Sequence, residues 1–479
     1  MKKTIFVYGT FNVLHSGHLR LLKYAKKLGD DLVVGVYSDT YPGSANIINQ
    51  KLRIEALKSI GWISKVILIK DVIKSIKKIN PQIIVKGKEF ANKKNSEITI
   101  IKSIGAKLLF SSGDSMSAID EFYSKEIKSI EGVSLNLEKD FILRHKIKVD
   151  GLISSIKNFN KLKICVIGDT IVDEYINCNP LGMSQEDPSI VFSPISSTKY
   201  LGGAAIVAAH GASLGSSVDF ISVCGKDDAK DFVIKKLNSL KVNSKIFEDD
   251  NKPTIIKQRF RSNGKTVFKL SHLRNEDILS KIEKKIINFF KSRVSTYDLL
   301  IFSDFNYGCL TQNLISTLTD IAKKNHLIIT ADSQSSSQIG DILKYKNIDL
   351  LTPTEREARV SLKNEKDGLV VLATNITSLT NTKNLIVKLG DNGLLIYKEP
   401  KNNEVFTDEI GALSNYIEDT AGAGDSMLIA MSLMLAGKND IWRASLIGSI
   451  AAAIQVSRIG NIPIKQNEIL NILKTKLIN

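Results

Sequence analysis

Two glycine-flanked clusters in this 479-residue chain hold side chains that can handle phosphate. The first is Tyr8-Gly-Thr-Phe-Asn-Val-Leu-His15-Ser-Gly-His18-Leu-Arg20, directly after an apolar run. His15 and His18 are three apart, so a helix beginning near Ser16 sets both on one side of its N-terminus. Unpaired N–H groups and the positive dipole end suit phosphate there. Two imidazoles add donors without a permanent charge. Gly9 allows a close backbone turn. Two of only six histidines fall in this one turn, so a chance pair of core or surface histidines is the weaker reading. The second cluster is Asp419-Thr-Ala-Gly422-Ala-Gly424-Asp425-Ser-Met. Small residues before a helix build an amide-lined anion hole. Asp425, at the helix start, can take a proton from a substrate hydroxyl.

Other signals are weaker alone. Gly168-Asp169-Thr-Ile-Val-Asp173 sets two carboxylates at a strand end, where they can meet sugar hydroxyls; Asp after Gly is also an ordinary turn. Gly202-Gly203 precedes an apolar helix, Ala204 to Leu214, and fits either close ligand approach or a tight turn.

The elements that must hold these clusters alternate between strand and helix. Short buried runs stand at 4–8, 32–36, 66–69 and 83–85, each separated by a helix-length segment. This is the βαβ rhythm of a parallel sheet covered on both faces. Residues 122–160 are rich in Lys, Glu and Ser and read as a helical or irregular linker. Alternation resumes at 163–168, with further runs at 218–223, 299–302, 327–330, 385–388 and 394–397, and the last eighty residues read as mainly helical. The expected domains are 1–125, a linker at 126–160, and 161–479.

Composition narrows the class. The apolar fraction is 43% and the charged fraction 24%, which excludes global disorder and a membrane bundle. No stretch approaches eighteen uninterrupted apolar residues, and the first ten residues read as a strand rather than a signal segment. Cys165, Cys178, Cys224 and Cys309 are far apart, as suits a reducing cytoplasm without disulfides or zinc. The net charge is +16, and residues 1–150 hold 26 Lys and Arg against 15 Asp and Glu. No stacking, zinc-ligand or helix-turn-helix pattern supports nucleic-acid binding. The excess fits solvated lysine with some cations facing phosphate ligands.

The segment from Gly9 to His18 resembles the GTFDxxHxGH motif of cytidylyltransferase-like nucleotidyltransferases. Ser38-Asp39, Arg53-Ile-Glu-Ala-Leu57, Val85-Lys86-Gly87 and Ser111 to Ser117 resemble its later motifs in order. The resemblance covers about residues 1–125 and is nearest the heptose-1-phosphate adenylyltransferase branch. It implies attack of a sugar phosphate on the α-phosphate of ATP or CTP, with catalysis by positioning and charge stabilisation. His15 and His18 would serve the leaving phosphates. Lys86 would neutralise phosphate charge. Gly9, Thr10, Phe11, Ser115 and Ser117 would hold the nucleotide. Asn12 stands where Asp is common, and no cation follows Thr40.

The segment Asp419 to Asp425 resembles the DTxGAGD signature of ribokinase-like (PfkB-type) carbohydrate kinases. Gly168-Asp169 to Asp173, Gly202-Gly203, the lid-like Thr254 to Arg259, Ser303-Asp304, Asp332, Thr354 to Glu357 and Lys388 to Gly393 follow that family's order over about residues 160–475. The resemblance implies γ-phosphoryl transfer from ATP to a sugar hydroxyl. Asp425 would be the base, and Gly422, Ala423 and Gly424 the anion hole. Lys388 and Gly390 would contact nucleotide. Glu357 would be the acid of a Mg2+ site. Asp169, Asp173, Gly202, Gly203, Lys257, Arg259 and Asp304 would bind substrate. Lys257, Arg259 and Lys269 fit solvated strand positions equally well. Ile206 stands where a sugar-contacting Asn is usual, Thr354 replaces the Asn of NxxE, and Ser271 replaces an Asp.

Together these resemble the bifunctional ADP-heptose-synthesis enzymes with their domains in reversed order. They imply a two-domain α/β fold. It comprises a Rossmann-like nucleotidyltransferase with a parallel sheet, and a ribokinase-like α/β/α sandwich with a small β lid. The expected activity is phosphorylation of heptose 7-phosphate at O1, followed by nucleotidyl transfer to a sugar 1-phosphate for surface polysaccharide. Alternatives are the same reactions on another sugar or polyol phosphate, or a weakened kinase domain serving binding or oligomerisation. Expected partners are a sugar phosphate, a nucleoside triphosphate and a second copy through the kinase domain. Nucleic acid and membrane are not expected.

Overall fold

The computed structural model describes residues 3–12, 14, 16–42, 48–87, 97–111, 138–262, 265–274, 276–334, 340–401, 404–414 and 416–477. The chain divides into two compact units, Met1–Glu131 and Gly132–Asn479.

In the first unit, β1 (Thr4–Gly9), β2 (Asp31–Tyr37), β3 (Lys65–Ile69), β4 (Ile83–Gly87) and β5 (Lys107–Ser111) form one sheet in the order β3-β2-β1-β4-β5. All four pairings are parallel. Helices α1 (Ser16–Lys27), α2 (Gln50–Lys58), α3 (Val72–Ile79) and α4 (Ile98–Ser103) connect them. Continuous apolar strands such as Ile5-Phe-Val bury both faces, so two cores form, one on each side. The strand order reverses between β1 and β4. Ligands of open α/β sheets bind beyond the strand carboxyl ends at such a point.

The second unit opens with α5 (Lys139–Arg144), α6 (Val149–Lys157) and a 3-10 turn at Asn158–Lys161. These residues were expected in a linker. Phe141, Ile147, Leu152, Ile156 and Phe159 instead lie in the core of this unit. Each such side chain contributes about 2 kcal/mol by leaving water. Their helical apolar spacing is masked in sequence by the Lys and Ser of the outer face.

The main sheet holds β6 (Lys163–Gly168), β9 (Ser217–Cys224), β10 (Asn243–Glu248), β13 (Leu299–Asp304), β14 (Ile328–Ser333), β15 (Leu350–Leu351), β16 (Asn384–Lys388), β17 (Leu394–Lys401) and β18 (Glu404–Ile410). Its order is β10-β9-β6-β13-β14-β15-β16-β17-β18. It is parallel from β10 to β16, and β17 and β18 run antiparallel. One core side is filled by α7 (Ala204–Ser213), α13 (Ala423–Ala436), α14 (Ile441–Val456) and α15 (Gln466–Leu477). The other is filled by α9 (Ser280–Lys291), α10 (Gln312–Lys324), α11 (Glu355–Leu362) and α12 (Leu369–Thr380). Helix α8 (Asp228–Ser239) packs on β10 and adds Ala229, Val233 and Leu237 to the first of these cores. A four-stranded lid, in the order β12-β11-β7-β8, stands apart from the sheet: β7 (Thr170–Met183), β8 (Ile190–Gly203), β11 (Ile255–Ser262) and β12 (Lys265–His272).

Candidate functional site

In the first unit, β1 and β4 end side by side at Gly9 and Gly87, at the reversal point. Thr10 and Phe11 follow β1. The Thr10 carbonyl accepts from Arg53 Nη1 at 2.7 Å. Arg53 is fully buried on α2. It also donates to the Ile48 carbonyl at 2.7 Å and to Asp39 Oδ1 at 2.5 Å. Asp39 in turn accepts from the Gln50 N–H. The motif pair Ser38-Asp39 and Arg53 thus clamps the turn after β1. Phe11 holds a positive φ of 51°, and its ring packs on His18 at 5.0 Å between centroids. His18 is half-buried in the first turn of α1. His15, Ser115 and Ser117 lie outside the described residues.

Lys86, at the end of β4, is buried and forms an ion pair with Glu97. Tyr8 Oη donates to the same carboxylate at 2.5 Å, and the ammonium lies 5.5 Å from the Tyr8 ring centroid. Burial works against the Glu97 charge, but the bonds from Lys86 and Tyr8 outweigh it and lower its pKa. The structure therefore adds to the expectation for Lys86: its charge is balanced by a carboxylate within the protein. Glu97 has no motif signal in sequence.

In the second unit a cavity of about 490 Å³ opens at the start of α13. Its wall includes Asp173, Gly203, Lys257, Arg259, Glu357, Lys388, Gly390, Gly422, Ala423, Gly424 and Asp425. Most of the residues expected to act on ATP and sugar thus converge, although they come from segments 250 residues apart in the chain. Gly422 caps α13 with φ 76°, a conformation glycine adopts without strain. Ala423 and Gly424 open the helix, so their amides sit at its positive end.

Asp425 is 5% exposed. Its pKa is pushed up to about 7, first by burial, then by the Asp332 carboxylate. Lys388 opposes this, Asp173 adds to it, and a hydrogen bond from Gln334 opposes it again. Gln334 Nε2 reaches Asp425 Oδ1 at 3.0 Å and Asp332 Oδ2 at 3.3 Å. Lys388 grips both oxygens of Asp332 at 2.8 and 2.9 Å. Burial disfavours its ammonium, but Asp332 and Glu357 more than compensate and raise its pKa. Gln334 and the tie of Lys388 to Asp332 carry no sequence signal beyond a strand end.

Glu357 is tied down locally. Its Oε2 accepts from the Thr354 N–H at 2.7 Å, and its own N–H donates to Thr354 Oγ1, closing a capping box on α11. Among the described residues no group of three His, Cys, Asp or Glu could hold a metal by itself. Glu357 is the acid that α11 brings to the cavity wall.

Two expected substrate ligands do not line this cavity and are hydrogen-bonded within the protein. Asp169 Oδ2 accepts from the N–H groups of Phe305 at 2.9 Å and Tyr307 at 3.2 Å, and Oδ1 accepts from Cys309 at 3.1 Å. Asp304 accepts from Tyr345 Oη at 2.7 Å, from the Asn306 N–H at 2.8 Å and from Lys344 at 2.5 Å. Buried carboxylates need donors, and these pairs consume them in shaping the loop after β13. Gly202 makes room for Asp173, since a Cβ there would stand 2.5 Å from Asp173 Oδ2. Gly203 lines the cavity with φ 59°. Arg259 lies 3.8 Å from Asp173 Oδ1. The Lys257 ammonium lies 5.2 and 5.1 Å from the Phe305 and Tyr307 ring centroids. Lys269, on β12, is exposed. Ile206 is fully buried in α7 and makes no part of the wall.

No helix among the described residues is long and apolar enough to cross a membrane. Residues 6–104 match the cytidylyltransferase-like family, and residues 161–467 match the pfkB family of carbohydrate kinases. The chain is 30% identical over 312 residues to the bifunctional protein HldE of Campylobacter jejuni, covering 64% of each chain. It is 28% identical over 321 residues to that of Helicobacter hepaticus, covering 66% of this chain and 65% of that one. The chain thus spans just under two thirds of the length of these curated relatives. Among solved structures, Arabidopsis thaliana ribokinase superposes with a TM-score of 0.52 at 16% identity, over 66% of this chain and 99% of that one. Thermotoga maritima ribokinase does so with a TM-score of 0.52 at 22% identity, over 66% and 100%. With a nucleotidyltransferase-like unit ahead of it, the kinase-like unit makes up most of the protein, and the chain belongs to the pfkB family of carbohydrate kinases.

Proposed function

We infer that the protein is a bifunctional enzyme. Its second unit phosphorylates a sugar phosphate with ATP, and its first transfers a nucleotidyl group from ATP or CTP to a sugar 1-phosphate. The observation that carries the reading is Asp425. It is a buried carboxylate held near neutral pKa at the mouth of an amide-lined helix start, in a cavity that also contains Asp173 and Arg259. A base poised near working pH is what proton removal from a hydroxyl requires.

In this reading a substrate hydroxyl lies against Asp425, which takes its proton as the oxygen attacks the γ-phosphorus of ATP and the bond to the β,γ-bridging oxygen breaks, releasing ADP. The amides of Ala423 and Gly424 stabilise the charge that builds on the transferring group. Mg2+, when bound, neutralises the phosphate oxygens, and Glu357 can contribute to holding it. Arg259 and Lys257 face the substrate's own phosphate. In the first unit, the α1 N-terminus with His18 and His15, together with Lys86, serves the triphosphate. Gly9, Thr10, Phe11, Ser115 and Ser117 serve the nucleotide.

Heptose 7-phosphate, phosphorylated at O1, is the first candidate substrate. Burial of Ile206 in the core favours a second reading, the same chemistry on a different sugar or polyol phosphate. Purified protein given ATP and each candidate, with products followed by mass spectrometry, distinguishes the two. Phosphorylation of another sugar without any heptose 7-phosphate turnover overturns the first. We further infer a homodimer through the kinase unit. Exposed apolar side chains on the lid, Leu181, Met183, Ile190, Ile195 and Phe268, support it. Light scattering of the eluting protein tests it. A cytoplasmic location follows from the nucleotide substrates and is checked by fractionation.

A further inference from the structure

Two buried carboxylate or amide oxygens in the kinase cavity have no hydrogen-bond donor among the described residues. They are Oδ1 of Asp173 and Oδ1 of Asn461. The two side chains are joined, with Asn461 Nδ2 donating to Asp173 Oδ2 at 3.0 Å. That bond fixes both orientations, and it leaves Asp173 Oδ1 and Asn461 Oδ1 without a hydrogen bond, with Arg259 3.8 Å from the former. Both residues line the cavity that contains Asp425, and Asn461 is 6% exposed. A buried acceptor without a donor is costly, and one on the wall of a substrate cavity is a place where a ligand can supply the donor.

The backbone holds Asn461 in place. Gly460, at φ 76°, donates its N–H to Asp419 Oδ2 at 3.1 Å. On the other side, a Cβ at Gly422 would collide with Asn461 Oδ1, so the cap of α13 and this amide are fitted to each other. Asn461 therefore stands between the anion hole and Asp173.

We propose that Asn461 is a substrate-contacting, specificity-determining residue of the kinase unit. With Asp173 it receives two hydroxyls of a sugar phosphate. The two acceptors recognise a polyhydroxylated ligand with neighbouring O–H groups, and Arg259 sets its phosphate end. Position 206 supplies no amide to this cavity, and Asn461, beside the α13 cap, supplies one. This rests on the kinase reading of the second unit.

The test measures two things on the full chain. The first is phosphoryl transfer from ATP to heptose 7-phosphate, mannose 6-phosphate and fructose 6-phosphate. The second is calorimetric binding of the same sugars to an Asp425→Asn background. Asn461→Ala is expected to raise KM and Kd for the accepted sugar by about 10- to 100-fold. KM for ATP should stay within about twofold. A monodeoxy analogue lacking the recognised hydroxyl should bind wild type and Asn461→Ala alike. Asn461→Ser, smaller and still polar, repeats the test if the alanine variant does not fold. Unchanged sugar affinity, or an equal loss for ATP, overturns the role of Asn461 while leaving the kinase reading intact. Absence of phosphoryl transfer by the wild type to any sugar phosphate overturns the kinase reading, and the proposal falls with it.

Discussion

Gln334 Nε2 donates to Asp425 Oδ1 at 3.0 Å, committing one carboxylate oxygen to the protein. The other oxygen is the one left to receive a proton. Gln334 also reaches Asp332, so the amide spaces two carboxylates that would otherwise repel more strongly.

Asp425→Asn removes the base. Phosphoryl transfer should fall by roughly 10²- to 10⁴-fold. Nucleotidyl transfer from a supplied sugar 1-phosphate should persist. Separate assays of the two products check this, and loss of both in a folded variant contradicts two independent sites.

Because Asp425 must be ionised, kcat/KM for phosphoryl transfer should fall on the acid side of about pH 7, tenfold per unit. Asp332→Asn removes a neighbouring carboxylate and frees Lys388, so the acid limb should move to lower pH. A pH–rate profile of both proteins reads the shift, and an unmoved limb counts against the assignment.

The same group sets a stability trend. The Asp425 pKa is raised from 3.8 to about 7, so the folded state holds the proton more tightly. Its stabilising contribution is complete below pH 3.8 and is lost as pH rises through 7. Asp425→Asn should therefore melt higher than wild type at pH 8, by a few degrees, and the gain should vanish near pH 4. His210 acts with the opposite sign. It is fully buried, accepts the Ile464 N–H at 3.0 Å, and burial lowers its pKa from 6.5 to about 3. Its contribution is present above pH 6.5 and is lost as pH falls toward 3. His210→Asn should flatten the acid side of the melting curve, which calorimetry at stepped pH measures.

Glu97→Gln leaves the Lys86 ammonium buried without its counter-charge. The first unit should lose about 3 kcal/mol, while phosphoryl transfer is spared. Denaturant titration followed by hydrogen exchange of β1 and β4 reports it. An unchanged first unit would mean that the pair carries no structural energy.

Gly422→Ala introduces a Cβ at φ 76° and against Asn461. Both strain and collision oppose it, so phosphoryl transfer should drop at least about 100-fold with ATP-independent folding retained. Activity assays with circular dichroism separate the two.

The buried parallel strands were legible because they are unbroken apolar runs, as at Ile5-Phe-Val and Ile164-Cys-Val-Ile. The α13 entry was legible because glycine, small residues and a carboxylate occur there at fixed spacing. The lid was less so: β12 is exposed along its length and β8 over most of it, so neither carries a clean period-two pattern. Asp169 and Asp304 sit at strand ends and Asp173 lies within β7, and nothing local tells whether such a carboxylate faces a ligand or backbone N–H groups. Gln334, Glu97 and Asn461 are single polar residues outside any motif, brought to their sites only by the chain's long-range packing.

Helices α5 and α6 give the kinase unit a practical lower limit of size. A recombinant fragment starting at residue 161 would lack Phe141, Leu152, Ile156 and Phe159 and expose the apolar faces they cover. It should be insoluble, whereas a fragment starting near Gly132 should express as a stable, active piece. Protease trimming of the whole protein should leave a resistant product whose first residue precedes Glu138.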